Sequence, residues 1–132
     1  MKALHTNVLV RFLVKDDEQQ AKAVYRIFKQ TESKAGVFFV PTLVALETVW
    51  VLDSVYETTR QEILDSIDEL LLMPILEFEA QSAIRSFISS ARENKTDLSD
   101  LLIAHCAKYS GCASVITFDK RAAKFELFEL LK

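Results

Sequence analysis

The chain has 132 residues, half of them hydrophobic, and its 16 Lys and Arg face 19 Asp and Glu for a formal net charge of −3. That length suits one domain spanning 1–132, and apolar residues dispersed among charged ones argue for a packed core and against disorder. No apolar run nears the roughly 20 residues that cross a bilayer, and no secretory leader pattern opens the chain.

In chain order, Ala3 to His5 reads as a short strand running into Thr6-Asn7, a helix-capping turn. Val8 to Val14 begins a first helix, interrupted by Arg11. Asp16-Asp17-Glu18 caps a second, in which Ala21, Val24, Ile27 and Phe28 share a face until Gly36 ends the unit. Val37 to Val40 is a continuous β-rich run closed by Pro41, the pattern of a strand buried on both faces of a parallel sheet.

Pro41-Thr42 opens a third helix with Leu43, Leu46, Glu47, Trp50 and Val51 at helical spacing, and Thr58 to Leu72 forms a fourth that Pro74 stops. Pro74 to Glu77 is a weaker strand. Phe78 to Arg92 is helical, with Ile84, Phe87, Ile88 and Ala91 on one stripe. Thr96 or Asp97 caps a helix through Leu101, Leu102, Ala104 and Ala107, broken at Ser110-Gly111. Ser114 to Thr117 reads as the last core strand, with Asp119 just past its end. Phe12, Phe28, Phe87 and Phe118 are expected in the core. Alternating strands and helices imply an α/β fold with a mostly parallel sheet of four to five strands flanked by helices. Ligands of such sheets lie beyond the carboxyl ends of the strands, where His5 and Asp119 fall.

Four acids stand out. Glu47 interrupts an apolar stretch one to two turns into its helix, and an unpaired buried carboxylate is costly. Asp97 and Asp100, three apart, share the first turn of a helix, and Asp119 follows a strand. Asp97, Asp100 and Asp119 have plainer readings as cap or first-turn acids, and Glu47 as a rim residue. Together, Glu47, Asp100 and Asp119 would make an all-oxygen set suited to Mg²⁺ or Mn²⁺. A net acidic chain holds nucleic acid only if such an ion, or a local basic patch, stands beside the acids.

Lys120, Arg121 and Lys124 form a small basic cluster beside Asp119, and Arg11 and Lys15 share one side of their helix. Each group is either a solvated face or a phosphate contact. Cys106 and Cys112 fit reduced thiols of a cytosolic protein, and with His105 they make no zinc spacing. No glycine-rich phosphate loop or nucleophile elbow occurs.

Taken together, Ala-Leu-His-Thr-Asn-Val-Leu-Val-Arg-Phe-Leu from Ala3, Phe-Val-Pro-Thr-Leu-Val-Ala-Leu-Glu-Thr-Val-Trp-Val-Leu from Phe39, Thr-Asp-Leu-Ser-Asp-Leu-Leu-Ile-Ala-His-Cys-Ala from Thr96 and Val-Ile-Thr-Phe-Asp-Lys from Val115 resemble the four motifs of PIN-domain ribonucleases, specifically VapC-type toxins. The resemblance implies a three-layer fold whose acids gather at the carboxyl edge of the sheet and bind Mg²⁺ or Mn²⁺ for hydrolysis of single-stranded RNA. It matches Glu47, Asp100 and Asp119 to the family's second, third and fourth acids and Asp97 to an additional one. Thr6, Asn7 and Thr117 match supporting polar residues, while Arg11, Lys15, Lys120 and Arg121 are the candidates for holding RNA. The same resemblance implies a cytoplasmic homodimer, a VapB-like antitoxin and transfer RNA among the targets.

The departure is His5, which stands where the family has Asp and which inherits the place of a metal ligand. Imidazole is a poor ligand for Mg²⁺ and a tolerable one for Mn²⁺, and a protonated ring would repel a cation. Three outcomes follow: a weakened nuclease, one with altered metal preference, or an inactive homologue, natural or engineered, that still binds antitoxin or RNA.

Overall fold

A computed structural model describes all of residues 1–132, with six α-helices and five short strands in two compact units, Met1–Glu79 and Ala80–Lys132. Every strand pairing is parallel, and each strand is followed or preceded by helix, so the fold is α/β as expected. The strands pair as a three-stranded sheet in the first unit and a two-stranded sheet in the second.

The first unit contains β1 (Lys2–Ala3), α1 (Thr6–Leu13), α2 (Glu18–Ser33), β2 (Phe38–Val40), α3 (Thr42–Ser54), α4 (Arg60–Leu71) and β3 (Leu76–Phe78), with sheet order β1-β2-β3. Lys2 pairs with Phe38, and Phe38 in turn with Leu76. Caps punctuate the helices where small polar residues allow. Asp17 Oδ1 accepts from Gln20 N at 3.0 Å, and Thr59 Oγ1 accepts from Glu62 N at 3.2 Å. Helix α3 begins at Pro41, which has no capping side chain, and Thr42 N donates instead to Glu79 Oε1 at 2.9 Å. That partner is 37 residues away and invisible to local spacing.

Two expectations for this unit change. The capping turn is not Thr6-Asn7: His5 is the N-cap of α1, and Thr6 is already inside the helix and buried. The buried face of α3 is Ala45, Thr48, Val49 and Leu52, whereas Leu43 is 79% exposed and Trp50 53% exposed. Helix α3 is apolar on nearly every side, so periodicity had no contrast with which to select a face.

The second unit contains α5 (Gln81–Ala91), α6 (Leu98–Tyr109), β4 (Val115–Thr117), a 3₁₀ turn (Ala122–Lys124) and β5 (Phe128–Leu130), with Val115 paired to Phe128. Ile84, Phe87 and Ile88 of α5 and Leu98, Leu101 and Leu102 of α6 are buried. Gly111, at φ +95°, closes α6 in the left-handed conformation that glycine adopts without strain. Of the four phenylalanines expected in the core, Phe28 and Phe87 are buried and Phe12 is partly so, but Phe118 is 78% exposed. It alternates outward with Ile116 from a two-stranded sheet that leaves that face open.

Candidate active site

In the first unit the site residues gather at the start of α1. The chain leaves β1 with Leu4 N donating to Phe39 O at 3.0 Å, and His5 turns it into the helix. His5 Nδ1 accepts from Asn7 N at 3.4 Å. That bond engages Nδ1 of His5 at the helix start and leaves Nε2 without a protein partner. The buried Thr6 hydroxyl donates to Glu47 Oε1, joining α1 to α3 across 41 residues of sequence. Glu47 is exposed rather than enclosed among its apolar neighbours, so this bond holds one of its oxygens and leaves the other to solvent.

The cations expected near this end divide. Arg11 pairs with Asp16, donates through Nε to Gln20 Oε1 at 2.8 Å, and is thereby committed to the α1–α2 loop. A raised Arg11 pKa, from the Tyr56 hydroxyl first and Asp16 after it, reflects the same surroundings. Lys15 is exposed and makes no ion pair.

In the second unit a cavity of about 870 Å³ is lined by three acids, Asp97, Asp100 and Asp119, and by three cations, Lys95, Arg121 and Lys124. Asp97 is the N-cap of α6, its Oδ2 accepting from Asp100 N at 3.1 Å. Asp119 Oδ1 accepts from Arg121 N at 2.8 Å and Ala122 N at 3.3 Å, while Asp119 N donates to Thr117 Oγ1 at 3.0 Å. Thr117 thus fixes the backbone turn that presents Asp119. The cap readings and the functional ones coexist, since each of these two carboxylates spends one oxygen on backbone and keeps the other.

Asp100 differs. Half-buried, its carboxylate accepts no hydrogen bond. Burial pushes its pKa above the ordinary carboxylate value, with repulsion from Asp97 and then Asp119 adding to the effect. Crowded carboxylates with spare oxygens form a hard donor set, and Mg²⁺ needs only one or two of them because it keeps several waters. No three His, Cys, Asp or Glu side chains are drawn together as a closed metal-holding group. The three acids line one cavity wall without closing around a point.

Sequence reasoning missed Lys95, treated as part of a polar loop, and favoured Lys120, which is absent from the cavity wall. Arg121, the other expected cation of that cluster, does line the cavity, as does Lys124. Cys106 and Cys112 are free thiols.

The parallel βα units thus carry acids beyond β4 and at the head of α6. The profile described as PIN domain matches residues 3–126, and the chain belongs to that family. Within it the chain is similar to a VapC ribonuclease of Aquifex aeolicus (strain VF5), at 28% identity over 124 residues that cover 94% of this chain and 91% of that protein. No solved structure gives a significant match. No helix is long and apolar enough to cross a membrane.

Proposed function

We propose that the protein is a metal-dependent endoribonuclease toxin that cleaves single-stranded regions of RNA, transfer RNA among them, with activity lowered by His5. The observation that carries this reading is Asp100, a half-buried carboxylate without a hydrogen bond, raised in pKa and flanked by Asp97 and Asp119. An acid so placed is stabilised by a cation.

Asp100, with the spare oxygens of Asp97 and Asp119, would hold Mg²⁺ or Mn²⁺. Such an ion supplies Lewis-acid activation of water and offsets charge on the phosphodiester. Asp119 is kept in place by Thr117 and by the backbone N–H groups of the following turn. Glu47 is assigned to the same chemistry through its place in the second motif. Thr6 orients the carboxylate by donating to it. His5 and Asn7 shape the helix start, but an imidazole at position 5 brings no negative charge, which weakens attraction for a hard cation.

The VapC-type assignment supports a cytoplasmic toxin paired with a VapB-like antitoxin, and a homodimer is consistent with the exposed Leu43 and Trp50 on α3. A second reading, a homologue that binds antitoxin or RNA without hydrolysis, is favoured by His5 alone.

Incubation of the purified protein with labelled transfer RNA and Mn²⁺ tests the reading. Cleavage that stops with EDTA and falls at least roughly 100-fold in Asp100→Asn is expected. Equal cleavage by Asp100→Asn would falsify the site.

A further inference from the structure

We propose that Lys95, Arg121 and Lys124 form a seat for the phosphate backbone of single-stranded RNA in the wall of the acid-bearing cavity, and that Lys120 takes no part in it. The inference rests on the nuclease reading and adds to it the groups that hold the substrate.

A cavity with Asp97, Asp100 and Asp119 repels a polyanion, and the chain as a whole is acidic at −3. Something local must reverse that repulsion. The same cavity contains three cations, and none of the six charged side chains is ion-paired with another. Acids and cations thus share the wall while staying apart. A phosphodiester accompanied by a divalent ion complements both, its oxygens meeting the cations and its metal meeting the acids.

Local geometry explains which cations are chosen. Lys95 lies in the middle of a turn in which Thr96 N donates to Asn94 Oδ1 at 3.0 Å, while Asn94 Nδ2 is anchored to Ser90 O at 2.8 Å. That turn sets Lys95 two residues before Asp97, at the head of α6. Across the cavity wall, Arg121 caps the 3₁₀ turn and Lys124 is its last residue. Residues three apart in a 3₁₀ turn eclipse one another, so Arg121 and Lys124 share a side, whereas a step of one residue rotates by about 120° and carries Lys120 away. Arg121 is held further by the bond from its own N–H to Asp119 Oδ1. Each acid-bearing turn therefore presents a cation beside its carboxylate.

Ammonium and guanidinium groups recognise phosphate without reading sequence. The one aromatic in the wall, Phe125, has its ring 6.1 Å from that of His105 and is taken up in packing. The seat accordingly grips backbone and leaves base choice to other residues.

The test is fluorescence anisotropy of a short labelled single-stranded RNA with Mg²⁺ over a salt series, in an Asp100→Asn background so that the RNA is not consumed. Each single-strand phosphate contact contributes about 0.7 to the slope of log affinity against log salt. Lys95→Gln and Lys124→Gln should each lower the slope by about that amount and weaken binding about fivefold at 0.1 M salt. Lys120→Gln should change neither, and unchanged melting temperatures show that all three variants are folded. An unchanged slope in Lys95→Gln and Lys124→Gln, an equal loss in Lys120→Gln, or no measurable binding by the background protein would each overturn the seat. Cleavage by the unmodified chain with these losses absent removes the seat and leaves the nuclease. Losses present without cleavage remove hydrolysis and leave the seat.

Discussion

His105 is 6% exposed on α6, and neither ring nitrogen has a hydrogen-bond partner. Burial lowers its pKa first, Lys108 adds to that, and Glu126 opposes it. The folded state therefore binds a proton less readily than the unfolded chain, whose histidine titrates near about 6.5. Stability is complete above that value and falls as pH drops through it toward the lowered folded pKa. His105→Leu should flatten the dependence of melting temperature on pH over this window. At neutral pH it should be neutral or stabilising by about 1 kcal/mol, because it removes two unsatisfied groups. Thermal melts between neutral and mildly acidic pH decide it; identical pH profiles for both proteins would contradict the account. In the sequence, His105 was legible only as a rejected zinc ligand. Its burial was hidden because the apolar residues of α6 lie on more than one side, with Leu98, Leu101, Leu102 and Ala104 all buried around it.

At the scale of the element, Asp97 has two roles that substitutions can separate. As the N-cap of α6 it accepts from Asp100 N, and as a cavity acid it contributes charge. Asp97→Asn keeps the cap and removes the charge, so melting temperature should hold while RNA cleavage falls roughly tenfold or more. Asp97→Ala removes both, adding a stability loss of about 1 kcal/mol. Cleavage retained by Asp97→Asn would reduce Asp97 to a cap. The caps were the most readable feature: Asp17, Thr59 and Asp97 lie at or within a residue or two of the helix starts expected from Asp16-Asp17, Thr58 and Thr96-Asp97. Two exceptions have physical causes. The start of α1 is capped by His5, a residue outside the usual capping set, and α3 receives its cap from Glu79 across the fold. Strand β5 escaped notice because Phe128-Glu129-Leu130 is three residues long without a β-branched side chain.

Across the whole molecule, acids sit at strand ends and helix starts, and the α/β order was legible because those boundaries carry turn and capping residues. Net charge was legible too, but not its distribution. Neither composition nor motif order shows that Lys95, Arg121 and Lys124 share a cavity with Asp97, Asp100 and Asp119. Motif order did identify the family, which the match over residues 3–126 places beyond periodicity or composition. The resemblance expects Asp at position 5, and the structure shows His5 there as the cap of α1, accepting from Asn7 N. Asp at the same place would keep the cap, since its carboxylate accepts the same bond more readily, and would restore a hard ligand.

The most direct measurement is therefore cleavage of labelled single-stranded RNA by the unmodified chain and by His5→Asp, side by side with Mg²⁺ and with Mn²⁺. Cleavage by His5→Asp at least roughly tenfold faster with Mg²⁺, abolished by adding Asp100→Asn, is the expected result. No cleavage by His5→Asp with either metal, or cleavage indifferent to Asp100, would contradict it.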